Sequence, residues 1–275
     1  EKDLMKSLQL KVLSVVASAL TVLGAVAAPQ ATAAERNLVA FGDSVLADPD
    51  AGSYFAHRYD RSKGVGVDCP TSNNYAKRAG AKLRLTVRDF SCSGAVSMSH
   101  GPQIFQQVDA ALRTGALTPA TNRVVITTGF NDTYNHRDMS LPQIRKQFAD
   151  RTAPQIERIK RAAPNARVQI VGYPTIGTGP YYCLFHFGPR PADSTFLPGI
   201  QDFENKAQWM QVDLAARTGV QFLDMKPSTR NNGMCADANQ RMWAGLVDFT
   251  GGDGNLPIHM NQRGHEHAAN VIARS

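Results

Sequence analysis

The sequence of 275 residues lacks internal repeats, apolar heptads, low-complexity tracts and any linker that would mark a second domain. These absences exclude a solenoid, a coiled coil and a string of small domains. The chain is nevertheless 43% hydrophobic, and a chain of this length can bury a large core. We therefore expect one large α/β domain.

Long apolar runs are also scarce, and residues 12–28 form the one run long enough for a signal sequence or a membrane anchor. Lys6 and Lys11 precede this run, and Ala31-Thr32-Ala33 after it matches a signal-peptidase site. An uncleaved anchor helix is the alternative, but the small residues and the cleavage site favour a secretory signal. We predict a signal peptide over residues 1–33, one mature domain over residues 34–275, and a secreted or cell-envelope location outside the cell.

The basic residues are not interleaved with aromatic residues, as they would be on a surface that binds single-stranded nucleic acid. The formal net charge is +7, and it falls to +6 without residues 1–33, which hold three lysines and two acidic residues. We interpret this charge as solvated surface that anionic lipid or a cell wall could attract. We expect a monomer without a nucleic-acid partner, and we allow for peripheral contact with a membrane.

Four cysteines are present, and no two of them form a Cys-x-x-Cys pair, which argues against a zinc site. An even number in an exported chain indicates two disulfide bonds, for which three pairings are possible. Pairing Cys69 with Cys92 and Cys183 with Cys235 closes two local loops. We favour this sequential pairing over the nested and crossed ones.

Short runs of strand-forming residues alternate with helical patterns along the chain. This alternation predicts a parallel sheet with helices on both faces. The predicted strands are residues 38–41, 83–90, 123–128, 167–173 and 220–224. The predicted helices are residues 72–83, a segment that begins at Pro102, a segment that begins at Ser140 and is kinked or split by Pro154, residues 203–217 with Gly219 as C-cap, and residues 263–273. Residues 174–198 are predicted to form a long loop, which either contacts an acyl chain or is simply packed.

Polar motifs follow the predicted strands where each strand ends. Gly42-Asp43-Ser44 follows the first strand, Cys92-Ser93-Gly94 the second, and Gly129-Phe130-Asn131-Asp132 the third. His259-Met260-Asn261 lies between the fifth strand and the last helix. Because the carboxyl ends of parallel strands meet at one edge of a sheet, we expect these motifs to lie together. A serine hydroxyl becomes a nucleophile when a histidine takes its proton, so the arrangement predicts a serine-hydrolase site.

In this order, the four motifs resemble the four conserved blocks of the SGNH (GDSL) hydrolase superfamily. The resemblance covers the whole of residues 34–275. The placement of Cys69 and Cys92, and Gly172-Tyr173-Pro174 after the fourth strand, are similar to the secreted, disulfide-bonded bacterial esterases and lipases of that superfamily. The resemblance implies a flavodoxin-like three-layer α/β/α sandwich with a five-stranded parallel sheet. It also implies serine esterase activity with no cofactor and no metal.

Site residues are carried over from the family position by position. The resemblance implies that Ser44 is the nucleophile and His259 the general base. It further implies an oxyanion hole made by the main-chain N–H groups of Ser44 and Gly94 and by the side-chain amide of Asn131.

The sequence departs from the family three residues before the histidine, where Leu256 replaces the usual aspartate. The imidazole still needs a group that fixes its tautomer through Nδ1. The candidates are the main-chain carbonyl of Leu256, giving a Ser-His dyad, and the carboxylates of Asp253 and Asp248. His265 and His267 suggest a metal site, but side chains at i and i+2 of a helix diverge, so we expect a solvated helix end there.

The leading hypothesis is therefore a secreted serine esterase or lipase that hydrolyses carboxylic esters, of lipids or of other acyl compounds, through an acyl-serine intermediate. A cell-envelope acyltransferase or carbohydrate deacylase that uses the same site is the first alternative. A non-catalytic secreted surface-binding module is the second, and the missing aspartate is its one support.

Overall fold

Five parallel strands form the central sheet of the computed structural model, which describes residues 35–60, 68–251 and 256–275. They are β1 (Asn37–Gly42), β2 (Thr86–Asp89), β3 (Arg123–Thr127), β4 (Arg167–Val171) and β5 (Gln221–Leu223), in the spatial order β2-β1-β3-β4-β5. All five predicted strands are present, although β2 is shorter than residues 83–90 because Leu83 ends the preceding helix. The predicted signal peptide, residues 1–33, lies outside the described residues.

Helices cover both faces of this sheet. They are α1 (Ser44–Ala47), α2 (Ala51–Tyr59), α3 (Tyr75–Leu83), α4 (Ile104–Arg113), α5 (Phe130–Asn135), α6 (Leu141–Ala162), α7 (Pro198–Thr218), α8 (Lys226–Thr229) and α9 (Gln262–Arg274). The sequence patterns predict α3, α4, α6, α7 and α9 but miss the short helices α1, α2, α5 and α8. The predicted three-layer α/β/α sandwich is confirmed.

The alternation of side chains along β1 shows how the layers are built. Leu38 and Ala40 face one side, where they join buried residues of α3 and α9. Val39 and Phe41 face the other side, where they join buried residues of α4, α6 and α7. Because successive strand residues point to opposite faces, a strand that is buried on both sides must be apolar at nearly every position.

Helix α6 begins as predicted, with a capping box between Ser140 and Gln143. It then continues through Pro154 as one helix, so the predicted split is absent, and a kink at Pro154 stays a prediction. Phe148 and Ile156, on either side of the proline, are both fully buried in the core beneath the sheet. Tertiary packing of this apolar face outweighs the loss of one backbone hydrogen bond.

Residues 174–198 are ordered by polar contacts rather than by long strands. The buried carboxylate of Glu204 accepts hydrogen bonds from the main-chain N–H groups of Ile176 and Gly177 and from the Tyr182 hydroxyl, at 2.7–3.2 Å. Short strand pairs join Tyr181–Tyr182 to Thr195–Phe196 and Phe185–His186 to Val247–Asp248. This segment is therefore a fixed wall beside the sheet.

The two disulfide bonds have the sequential pairing. Cys69 pairs with Cys92 across a Cα–Cα distance of 5.2 Å, and Cys183 pairs with Cys235 across 4.9 Å. The first anchors the chain just after β2, and the second anchors residues 174–198. Within the described part of the chain, no helix combines the length and apolar character needed to cross a membrane.

Candidate active site

Ser44 is the first residue of α1, directly after β1. Asp43 caps this helix, because its carboxylate accepts a hydrogen bond from the Val45 N–H at 2.9 Å. A Cβ at Gly42 would lie 2.8 Å from the main-chain oxygen of Thr127, so the turn needs glycine to approach β3 this closely. The strand end and the cap together fix the position of the Ser44 hydroxyl.

His259 reaches Ser44 from the far end of the chain, and its Nε2 lies 2.7 Å from Ser44 Oγ. The loop that carries it is held by main-chain hydrogen bonds: Ala244 N–H donates to the His259 carbonyl, and Ile258 N–H donates to the Gly245 carbonyl. Asn261 then caps α9 by accepting from the Gly264 N–H at 3.1 Å. The structure therefore brings the predicted nucleophile and base into hydrogen-bond contact.

The group that faces His259 Nδ1 is the main-chain carbonyl of Pro257, at 2.8 Å. The sequence-based candidate, the carbonyl of Leu256, is one residue too early, so that prediction is corrected. Asp253 lies outside the described residues. Asp248 is occupied elsewhere, because it forms an ion pair with the buried Arg241.

The Pro257 carbonyl can only accept a hydrogen bond, so it assigns the proton of the neutral imidazole to Nδ1. This leaves the lone pair of Nε2 directed at the Ser44 hydroxyl. The half-buried surroundings disfavour the charged ring and lower the pKa of His259 below its ordinary value of 6.5. At neutral pH the ring is therefore free to accept a proton.

Gly94 and Asn131 line the same cavity as Ser44 and His259. Gly94 has a φ of 79°, a conformation that glycine adopts without strain, and no atom lies within 4 Å of the position a Cβ would take. The side-chain amide of Asn131 donates one hydrogen to the Ala95 carbonyl at 2.9 Å. An amide nitrogen carries two hydrogens, so the second remains for a ligand.

Two polar residues support this edge of the cavity: Tyr134, which the sequence patterns did not single out, and Asp132, which belongs to the third motif but had no predicted role. The Tyr134 hydroxyl donates to Asn131 Oδ1 at 3.0 Å, which fixes the orientation of the amide. The carboxylate of Asp132 accepts from the main-chain N–H groups of residues 97–99, at 2.8–3.0 Å, and so anchors the chain that follows Gly94. The spacing of Asn131 and Tyr134, three residues apart on a helix, was the available signal for the first contact.

Asp43 is a further buried carboxyl group beside the nucleophile. Burial raises its pKa to about 7, although hydrogen bonds from the Tyr173 hydroxyl and the Val45 N–H partly oppose this. The Tyr173 hydroxyl in turn accepts from the Phe130 N–H at 3.0 Å. Tyr173 thereby joins the turn after β1 to the turn after β3.

The cavity in front of Ser44 has a volume of about 570 Å³, and most of the residues that line it are apolar. The apolar residues include Val45, Phe130, Ile176, Leu184, Leu197, Ile200, Met234, Trp243, Leu246 and Ile258. Residues of the predicted loop 174–198 supply part of this wall. A cavity of this size and composition suits the hydrocarbon part of a ligand.

The other C-terminal histidines do not join His259. His265 is fully buried, accepts a hydrogen bond from the Tyr75 N–H at 3.2 Å and lies 3.1 Å from Asp48. His267 Nε2 lies 2.8 Å from the Ser228 hydroxyl. The prediction of a solvated helix end is therefore wrong for His265, because α9 packs this side chain against α3.

Two solved structures are similar to this chain, and the first of them supports the fold. A phospholipase A1 from Streptomyces albidoflavus NA297 superimposes with a TM-score of 0.55 at 21% identity, over 88% of this chain and 99% of that one. An extracellular lipase from Streptomyces rimosus gives a TM-score of 0.48 at 20% identity, over 86% and 99% of the two chains. No curated protein matches this chain at a significant level. The sequence model of the GDSL-like lipase/acylhydrolase family, however, matches residues 40–267, and the chain therefore belongs to this family.

Proposed function

We propose that this protein is an exported serine esterase or lipase that hydrolyses carboxylic esters through an acyl-serine intermediate. The family is one of lipases and acylhydrolases, and the proposal assigns the chemistry to particular residues. One observation carries it: His259 Nε2 lies 2.7 Å from Ser44 Oγ while its Nδ1 faces the Pro257 carbonyl.

In the first step, Ser44 Oγ attacks the ester carbonyl carbon while His259 Nε2 takes the hydroxyl proton. The carbonyl oxygen of the substrate becomes negatively charged. The N–H groups of Ser44 and Gly94 and the free amide hydrogen of Asn131 stabilise that charge. The tetrahedral intermediate then collapses, and His259 returns the proton to the leaving alcohol.

The second half repeats these roles with water. His259 removes a proton from a water molecule, whose oxygen attacks the acyl-serine carbonyl. Collapse of the second tetrahedral intermediate releases the carboxylic acid and returns the proton to Ser44 Oγ. No carboxylate is required on the histidine, because the Pro257 carbonyl already fixes its tautomer.

The substrate class follows from the wall of the cavity. Its apolar residues would bury the hydrocarbon chain of an acyl group, and each buried methylene contributes about 0.8 kcal/mol. We therefore propose acyl esters with a sizeable hydrocarbon part, such as lipids. Two disulfide bonds support an extracellular or cell-envelope location, where such bonds persist.

Labelling with a fluorophosphonate tests the proposal against a non-catalytic binding protein. We expect stoichiometric modification that disappears in Ser44→Ala. Ser93→Ala is the matched control, because Ser93 lines the same cavity but its hydroxyl makes no hydrogen bond to His259, and it should still be labelled. A folded wild-type protein that does not react would overturn the assignment.

A further inference from the structure

A group of exposed apolar side chains lies beside the cavity. Phe187 and Phe249 are 60% and 77% exposed, and their ring centroids are 5.9 Å apart. Phe185 stacks with Phe187 at a centroid distance of 6.3 Å, and Leu246 is 48% exposed on the segment that leads to Phe249. We refer to Phe185, Phe187, Leu246 and Phe249 as the aromatic patch.

Backbone pairing holds the aromatic patch in one conformation. The strand pair aligns Phe185 with Val247, and the N–H groups of Leu246 and Phe249 donate to the carbonyls of Leu184 and His186 at 2.8 and 3.0 Å. The patch is therefore not a loose loop tip. Its side chains are exposed, and the two segments that carry them are hydrogen-bonded to each other through the backbone.

A buried ion pair lies beneath this backbone. Asp248 pairs with the fully buried Arg241 and accepts from the N–H groups of Gly245 and Thr250 at 3.0 and 2.9 Å. Arg241 also donates to the Thr250 hydroxyl at 2.8 Å, while its Nε and Nη1 have no partner among the described residues. A buried polar network therefore lies under a segment whose outer side carries exposed phenylalanine. Clusters of exposed apolar side chains of this kind mark interaction sites.

The aromatic patch is continuous with the cavity in front of Ser44. Leu246 belongs to both, and Leu184, which precedes Phe185, also lines the cavity. The same segment supports the base, because Ala244 N–H donates to the His259 carbonyl. An apolar surface therefore runs from the solvent, over Leu246, to the proposed nucleophile.

We propose that the aromatic patch docks the protein on a lipid surface, so that an acyl chain passes from the lipid over Leu246 into the cavity. This inference rests on the proposed function and names the physical state of its substrate: ester lipid in an aggregate rather than dissolved monomers. The apolar cavity favours a lipid surface as the partner of the patch. An acyl chain could then pass from the hydrocarbon layer of the lipid into the cavity without being exposed to water.

Sedimentation with phosphatidylcholine vesicles tests this proposal in the full chain with Ser44→Ala, which removes turnover but not the surface. We expect binding that persists at high salt, because burial of phenylalanine is not screened by ions. Phe187→Ser and Phe249→Ser should each lower the vesicle partition coefficient about tenfold. Phe105→Ser is the matched control, since Phe105 is exposed on α4 outside the patch, and it should leave partitioning unchanged.

Several outcomes would overturn the docking surface. They are no sedimentation of Ser44→Ala with vesicles, loss of binding at high salt, equal effects of Phe249→Ser and Phe105→Ser, or a dimer that Phe249→Ser abolishes. Thermal unfolding of each variant shows whether it is folded, which we expect because both phenylalanines are exposed. Hydrolysis of a short soluble ester by the wild type separates the two proposals: activity without vesicle binding refutes the docking surface alone, whereas vesicle binding without labelling refutes the enzyme.

Discussion

Two histidines of the C-terminal segment have opposite surroundings. His265 lies 3.1 Å from the carboxylate of Asp48 without a hydrogen bond to it, and its Nδ1 accepts the Tyr75 N–H, so its proton lies on Nε2. His259 has no carboxylate at hydrogen-bond distance among the described residues, but Pro257 places its proton on Nδ1 and leaves the Nε2 lone pair for Ser44. A carboxylate beside an imidazole therefore does not make a base. The tautomer, and what the other nitrogen faces, decide it.

The largest expected effect separates the two histidines directly. His259→Gln should lower kcat/KM for a soluble ester by about 10⁴-fold or more, because no group remains to take the Ser44 proton. His265→Gln should change kcat/KM less than about threefold. It should instead lower the free energy of unfolding by about 1–3 kcal/mol, because the buried N–H of Tyr75 loses the Nδ1 acceptor. Steady-state kinetics and urea denaturation of both variants measure this contrast. Equal losses of kcat/KM in the two variants would contradict it.

The second prediction concerns the negatively charged oxygen of the tetrahedral intermediate, which forms beside His259 and not beside His265. Asn131→Ala should lower kcat by about 10²- to 10³-fold with little change in KM, because the amide stabilises the transition state rather than the bound ester. Asn131→Asp keeps the size and the acceptor for Tyr134 but lacks the amide hydrogens, so it should be equally impaired. An active Asn131→Asp would remove the amide from the mechanism.

The pH dependence sharpens the assignment of the base. The pKa of His259 is lowered below 6.5, and the protonated ring cannot accept the serine proton. The rate of fluorophosphonate labelling should therefore fall about tenfold per pH unit once the pH is below the pKa of His259. A profile of labelling rate from pH 5 to 8 should have its midpoint below 6.5. A flat profile would exclude His259 as the base.

The smallest expected effect concerns the support of Asn131. Tyr134→Phe removes one hydroxyl and should lower kcat about three- to tenfold while KM is unchanged, because the amide loses the hydrogen bond that orients it. Tyr54→Phe is the control, since Tyr54 lines the same cavity and bonds Arg58 rather than Asn131. A loss in KM alone would make Tyr134 a contact for the substrate instead.

The helices show a similar contrast, between local sequence signals and tertiary packing. The capping box of Ser140 and Gln143 and the C-cap at Gly219 are local signals, and the structure has both. The interior Pro154 does not end the helix, because packing of Phe148 and Ile156 outweighs its effect. Helix α7 begins at Pro198, before the predicted start at residue 203, since proline is well suited to the first turn of a helix.

The sequence by itself determined the parallel sheet, the order of the motifs and the residues that meet at its edge, because strand composition and chain order leave few topologies open. Tertiary structure alone decided which carbonyl faces His259. Ile258 adopts a left-handed φ of 54°, a costly conformation for a β-branched residue, and the chain there places the Pro257 carbonyl rather than that of Leu256 at Nδ1. Such a turn depends on contacts with Gly245 and Ala244, residues that no local pattern connects to the histidine.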